Sequence, residues 1–310
     1  MKLTKKEAQE IADQHSLGKI TKLKQVKEGW VNTIFSLKTE KGNFMLRSVG
    51  TRKQNVIKAF QTVSYLKKRK FPYQIPNPIK NNKGQNLSKK KGTFFWIYPR
   101  IDGSSQKRLG EKQTREVAKA LATYHQYIQG ANIGEKETIK AANVRRLLNK
   151  MAKEKKKDKL GKFITKNIEF MQACLERVKH LKVNSKIIPI HADFHEDNLL
   201  WESGKVTGIL DFDNIVRAPR IRDLVQTIKA MLFKEDKLDR RRYQTFLREY
   251  QKHNKLTKEE QSHLLPYILL YACYRFTEFY GLTGKKSDRK SKLILLKWCV
   301  NVARGTVKEL

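Results

Sequence analysis

Acidic residues are scarce in this chain: 30 Asp plus Glu stand against 67 Lys plus Arg, a formal net charge of +37. A surface so positive disfavours a polycationic ligand. It attracts RNA, DNA or anionic lipid at low salt, with steep salt dependence. The cations run through nearly every segment instead of forming one stripe with interleaved aromatics, and no nucleic-acid-binding motif is present. A basic nucleic-acid-binding protein therefore stays as one alternative, with a lysine-rich coding bias or a high-salt interior as another account of the charge. Cysteine is limited to Cys174, Cys273 and Cys299, isolated and without metal spacing. That argues against a disulfide framework or a thiolate metal centre and predicts reduced, buried thiols in a cytoplasmic protein. No stretch approaches the roughly eighteen apolar residues of a membrane span, and no secretory signal opens the chain. An internal repeat is also missing. A chain of 310 residues is long enough to bury a substantial core, as one bilobal unit or two domains.

What is present is His191-Ala-Asp193-Phe-His-Glu-Asp-Asn198, followed thirteen residues later by Asp211-Phe212-Asp213. Phosphoryl transfer needs a carboxylate to orient or deprotonate the accepting hydroxyl, and oxygen ligands holding magnesium against nucleotide phosphates. An Asp, an Asn five residues on, and an Asp before Phe occur here in the order that kinases use. Apolar runs at Lys186–Ile190, Leu199–Trp201 and Val206–Leu210, with Glu202-Ser-Gly-Lys205 between the last two, predict a hairpin turning near Ser203 and Gly204. Its open end would set Asn198 beside Asp211, with Asp193 in the loop just before. Carboxylate and amide oxygens of that kind suit magnesium. Taken singly, His191 reads as a structural histidine, and His195 and Glu196 as a solvent-facing pair.

The stretch 188–224 resembles the aminoglycoside phosphotransferase and choline kinase superfamily, especially its homoserine-kinase-like branch. That pattern reads His-Gly-Asp-x-x-x-x-Asn, then Asp-Phe, then Asp-Leu; here His191, Asp193, Asn198, Asp211-Phe212 and Asp223-Leu224 match, and Ala192 replaces the Gly. The resemblance implies an α+β, bilobal, protein-kinase-like fold: a small antiparallel-sheet N-lobe over 1–97, a hinge at 98–103 and a helical C-lobe over 104–310. It makes Asp193 the catalytic base and Asn198 and Asp211 the metal ligands. Asp213 adds a further carboxylate, and Asp223 braces the catalytic loop.

The rest of the chain fits two lobes. Thr4-Lys-Lys-Glu7 signals a capped helix running to about His15. Strands are expected at Ile20–Val26, Val31–Thr39 and Asn43–Val49, and a helix over Gln54–Lys68 with Val56, Ile57, Phe60, Val63 and Leu66 on one side. Pro72, Pro76 and Pro78 mark an extended connection, and Thr93–Ile97 is a further strand. Adenine would meet main chain near Trp96 to Tyr98, with either ring available for stacking or simply core. Neither Gly-x-x-x-x-Gly-Lys-Ser/Thr nor a protein-kinase Gly-rich loop is present. Glu28-Gly-Trp-Val-Asn-Thr33 resembles the superfamily's shorter loop, with Asn32 near phosphate. Arg47 falls where the family carries its phosphate-binding Lys, yet no acidic residue lies between Thr51 and Gly92 to pair with it. That leaves a nucleotide-binding pseudokinase as an alternative.

Helices are expected over Thr114–Gly130, with His125 packed, and Ile168–Leu181, then about Leu224–Phe233, Arg240–His253, Lys258–Tyr280 and Lys290–Glu309. The run Lys150–Lys162 reads as a solvated helix or mobile insertion. Tyr271, Tyr274, Arg275, Glu278 and Tyr280 are candidate acceptor-pocket residues or core. The reading is an ATP- and Mg2+-dependent kinase for the hydroxyl of a small molecule, homoserine or another amino alcohol first. The Ala-Pro-Glu signature of protein kinases is absent after Asp211, which argues against a protein substrate.

Overall fold

The computed structural model describes residues 3–28, 33–49, 53–106, 109–154, 158–281 and 288–310. Helix α1 (Lys5–Gln14) starts at the expected capping box: Thr4 Oγ1 accepts from Glu7 N–H, and Glu7 reaches back to Thr4 N–H. Its Ala8, Ile11 and Ala12, at helical spacing, are buried. Strands β1 (Ile20–Glu28), β2 (Thr33–Thr39) and β3 (Gly42–Val49) form an antiparallel meander. In β2, Thr33, Phe35, Leu37 and Thr39 alternate inward, as a half-buried strand requires. Helix α2 (Lys53–Lys68) and strands β4 (Ser88–Lys90) and β5 (Thr93–Pro99) follow, giving a sheet ordered β1-β2-β3-β5-β4. One core cluster joins α1 to Phe35, Leu37, Leu46, Phe95 and Ile97. The other joins Val56 and Phe60 of α2 to Val49, Trp96 and Tyr98.

Helices α3 (Glu111–Ile128), α4 (Ala141–Lys153) and α5 (Lys159–Val178) lead into β6 (Ile187–Ile190). The cationic run is therefore split: α4 ends at Lys153, and Asp158 caps α5 by accepting from Gly161 N–H at 2.8 Å. The hairpin β7 (Leu199–Glu202) and β8 (Lys205–Ile209) turns at Ser203 and Gly204, both with positive φ. Strand β9 (Val216–Pro219) pairs with β6. Helix α6 (Ile221–Met231), a short hairpin β10 (Phe233–Lys234) and β11 (Lys237–Leu238), and helices α7 (Arg240–His253), α8 (Lys258–Tyr280) and α9 (Arg289–Glu309) complete the chain. No helix among the described residues is long and apolar enough to cross a membrane. Cys174, Cys273 and Cys299 are free and buried.

Packing divides the chain into a sheet unit, Met1–Gln106 with Asp197–Ile215, and a helical unit, Lys107–Glu196 with Val216–Leu310. This differs from the sequence division at 98–103, which gave everything after 104 to the helical part. The cause is main-chain pairing of the β7–β8 hairpin. Trp201 and Ser104 exchange N–H···O bonds of 2.9 and 3.0 Å, and Gln74 does the same with Thr207 and Ile209 at 2.9 Å each. Gly103 permits this approach: its φ is +115°, and a Cβ there would lie 3.1 Å from Trp201 O.

The helical unit is fastened by a buried ion pair, with Arg220 3% and Glu260 1% exposed. Arg220 Nε and Nη2 donate to the two Glu260 oxygens at 2.8 and 2.5 Å, and Nη1 and Nη2 reach Asn254 Oδ1 and Lys255 O. Burial pushes the Glu260 carboxyl up, but Arg220, Ser185 Oγ and Thr257 N–H together hold it below its usual range. A depressed carboxylate contributes stability above its unfolded pKa and loses it as pH falls through the folded one. Glu260→Gln is expected to cost about 2 kcal/mol at neutral pH. That deficit should shrink on acidification, so urea midpoints of the two proteins converge towards about pH 3. A deficit that does not change with pH would assign the effect to packing alone.

Candidate functional site

In the sheet unit the hairpin delivers what its sequence pattern predicts. Leu199 pairs with Ile209, and Leu210 N–H donates to Asn198 O at 2.8 Å, which closes the open end and sets Asn198 next to the residue before Asp211. Asp211 then adopts a left-handed conformation, φ +60° and ψ +63°, heading a single turn at Phe212–Asn214. Aspartate tolerates that region better than most side chains. Phe212 is 1% exposed and anchors the turn in the core.

Arg47 is buried on β3, opposite Trp96 of β5. Its Nη2 donates to Asp213 Oδ2 at 2.6 Å and to Asp211 Oδ1 at 3.1 Å. Burial alone would favour the uncharged side chain; the charges of Asp213 and Asp211 more than offset it, and the Arg47 pKa rises. The partner absent from 51–92 is therefore supplied by the Asp-Phe-Asp turn. Sequence reasoning missed that contact, although a cation on a core strand with no acid in the following helix leaves few other partners.

Trp96 and Tyr98 are 2% and 7% exposed and stack with centroids 4.6 Å apart, and Phe60 meets Trp96 edge-on at 5.2 Å. Both rings are core, and burial pushes the Tyr98 hydroxyl up to about 12. Asn32 lies outside the described residues. Asn198, Asp211 and Asp213 all offer oxygen, the donor type that suits a hard cation. The two aspartates are already turned onto one positive charge, so the donor set fits a divalent ion. Among the described residues no group of three His, Cys, Asp or Glu could hold a metal by itself.

In the helical unit the loop after β6 carries Asp193. Ala192 before it has φ +59°, which accounts for the glycine usual at this position: an L side chain there is strained by roughly 1–2 kcal/mol. Asp223, fully buried on α6, holds the strained loop. Its Oδ1 accepts from Ala192 N–H at 2.7 Å and its Oδ2 from His191 N–H at 2.7 Å. His125 Nε2 sits 3.0 Å from Oδ2, and its Nδ1 is 2.7 Å from Tyr250 OH, the packed role expected of it. Gln226 donates to Ala192 O, and Thr227 Oγ1 donates to Phe194 O at 2.9 Å. These two braces were invisible to motif reading, because Gln and Thr one turn after an Asp-Leu carry no signature. His191 is fully buried, its ring edge-on to Tyr124 and Phe194. Asp193 is a third exposed, and His195 Nε2 lies 3.4 Å from its Oδ1, beyond a good hydrogen bond.

The α8 candidates divide. Tyr280 bonds Glu154, whereas Tyr274 OH donates to Glu278 Oε1 at 2.5 Å and Glu137 Oε1 at 3.1 Å, and Arg275 Nη1 donates to Glu278 Oε2 at 2.5 Å. Tyr271 is buried and donates to Gln226 Oε1 at 3.0 Å.

Comparison with known proteins agrees with this arrangement. A homoserine kinase of Bradyrhizobium diazoefficiens is 25% identical over 277 residues, covering 87% of this chain and 82% of its own length. Two solved structures share the protein-kinase-like fold. Amicoumacin kinase, solved with AMP-PNP and Ca2+, superposes with a TM-score of 0.68 at 12% identity, covering 96% of this chain and 94% of its own. Spectinomycin phosphotransferase, solved with ADP and spectinomycin, also gives 0.68, at 17% identity, covering 97% and 98%. The pattern of the phosphotransferase enzyme family matches residues 22–260, and this chain belongs to that family.

Proposed function

We propose that this phosphotransferase moves the γ-phosphate of ATP, with Mg2+, to the hydroxyl of a small molecule, homoserine or another amino alcohol first. The observation that carries the reading is the convergence of Asp211 and Asp213 on one buried cation at the end of a hairpin that also presents Asn198. Asp193 orients the accepting hydroxyl and takes its proton. Asn198, Asp211 and Asp213 hold the metal, which neutralises phosphate charge when bound. Arg47 meets phosphate with guanidinium N–H groups not spent on the aspartates. Asn32 and main chain near 96–98 contact the nucleotide. Asp223 keeps the Asp193 loop in register without touching the reactants. The similarity to a homoserine kinase across most of both chains supports the acceptor class.

A second reading rests on the same contact. A buried Arg47 bound to both aspartates, in place of a Lys paired with a helix acid, also suits a nucleotide-binding protein that transfers nothing. The discriminating experiment offers γ-labelled ATP and Mg2+ with separate pools of homoserine, choline, sugars and aminoglycosides. Label in one pool supports the kinase and names its acceptor class. Magnesium-dependent ATP binding without label in any pool supports the second reading. No ATP binding at all removes both and moves nucleic acid, recognised through the charge of +37, to the front.

A further inference from the structure

The polar groups buried between α6 and α8 do not balance. Arg222 of α6 has a side chain 7% exposed. Its Nη2 meets Glu137 Oε1 at 3.1 Å, while its Nε and Nη1 are buried with no partner. Two turns further along the same helix face, Lys229 is 5% exposed. Its Nζ lies 4.0 Å from the Trp298 ring centre and 4.6 Å from that of Tyr271, and it makes no hydrogen bond or ion pair among the described residues. Arg275, partly buried on α8, spends Nη1 on Glu278, and its Nε is likewise unpartnered. Arg222 lies over the rings of Tyr271 and Tyr274 at 5.7 and 5.9 Å.

Two carboxylates, Glu137 and Glu278, thus pair with Arg222 and Arg275, neither reaches Lys229, and both are also engaged by Tyr274 OH. Buried donors left unmet are costly, and an unpaired buried ammonium more so. Burial, with Arg275 and Arg222 close by, holds the Lys229 pKa well below its usual value, against the pull of Asp193. The cluster also adjoins the Asp193 loop: Tyr271 OH bonds Gln226, which bonds the carbonyl of Ala192.

We propose that Arg222, Lys229 and Arg275 form a carboxylate-binding subsite, so that the acceptor is a hydroxylated acid, an amino acid or hydroxy acid, and not a neutral or cationic alcohol. The planar fork of Arg222 suits a carboxylate, and the ammonium of Lys229 completes the charge. This inference rests on the kinase reading, and it sets homoserine apart from choline, sugars and amino alcohols that lack an acid group.

The test uses the full chain and three probes: L-homoserine, 4-hydroxybutyrate and 3-aminopropan-1-ol. Each is measured by calorimetric binding and by label transfer from ATP. The two acids are expected to bind at least about tenfold tighter than 3-aminopropan-1-ol. Arg222→Met and Lys229→Met should each weaken acid binding by about tenfold to a hundredfold, bringing the three probes towards equal affinity. Lys229→Met should also unfold about 2–4 °C higher, since a buried amine with no hydrogen-bond partner is gone; weaker binding by a more stable protein cannot be misfolding. Equal or tighter binding of 3-aminopropan-1-ol by the unaltered protein overturns the inference, as does acid binding indifferent to both substitutions. Displacement by inorganic phosphate where the acids fail would make the cluster a phosphate subsite, and overturns it too. Transfer to 3-aminopropan-1-ol without preference for the acids sinks the inference alone. Acid binding with no transfer to any probe sinks the kinase reading alone.

Discussion

Asp193→Asn is expected to lower kcat by about a thousandfold, within the range that a positioned general base contributes. The amide keeps the size of the side chain and loses the proton-accepting oxygen charge. The main chain of the loop is fixed by Asp223, Gln226 and Thr227. Folding should therefore be unchanged, and so should magnesium-dependent ATP binding, because the proposed metal ligands are elsewhere in the chain. The measurement is single-turnover label transfer into the best acceptor, beside a nucleotide titration. If kcat stayed within tenfold of the unaltered protein, Asp193 would not be the base, and positioning alone would have to account for catalysis.

The second large effect is expected from Asp223→Ala. Two loop N–H groups and His125 converge on this fully buried carboxylate. Removing it strands all three donors in an apolar setting, at a cost of about 3–5 kcal/mol. Against a typical total of about 5–15 kcal/mol, the urea midpoint should fall markedly. The loss should be coupled to function, since the strained backbone at Ala192 has no other partner for its N–H among the described residues and would relax, carrying Asp193 with it. Asp223→Asn is the informative companion. It keeps one acceptor oxygen and should retain about half the lost stability while transfer still falls at least tenfold in the folded protein. Normal turnover in a destabilised Asp223→Asn protein would confine this residue to a folding role.

Much of the architecture is legible in the sequence, where signals are local. The Thr4–Glu7 box, the Ser203-Gly204 turn and the late helices follow from capping, turn chemistry and a helical period, and each falls within a few residues of its expected bounds. Helix α4 was hidden because its seam of Val144, Leu148 and Met151 is narrow and set among cations. Tertiary facts were harder. Arg47 reads as a phosphate ligand by position, yet its bonds to residues 164 and 166 positions away are set by how the hairpin folds back. The rings of Trp96 and Tyr98 suit either a base or a core, and only burial decides. Lys229 carries no sequence signal of its own. Its burial depends on Trp298, a residue of the last helix.

The sheet unit is assembled from two pieces of chain, with Lys107–Glu196 between them. During synthesis at about 5–20 residues per second, the first piece must wait several seconds for its remainder. Until Asp211 and Asp213 emerge, Arg47 has no counter-charge at a position that becomes buried. A guanidinium in that state opposes burial of Trp96 and Tyr98 around it. The first 106 residues therefore carry a built-in delay. The sheet unit is complete only when the Asp-Phe-Asp turn arrives, after about two-thirds of these 310 residues have been made.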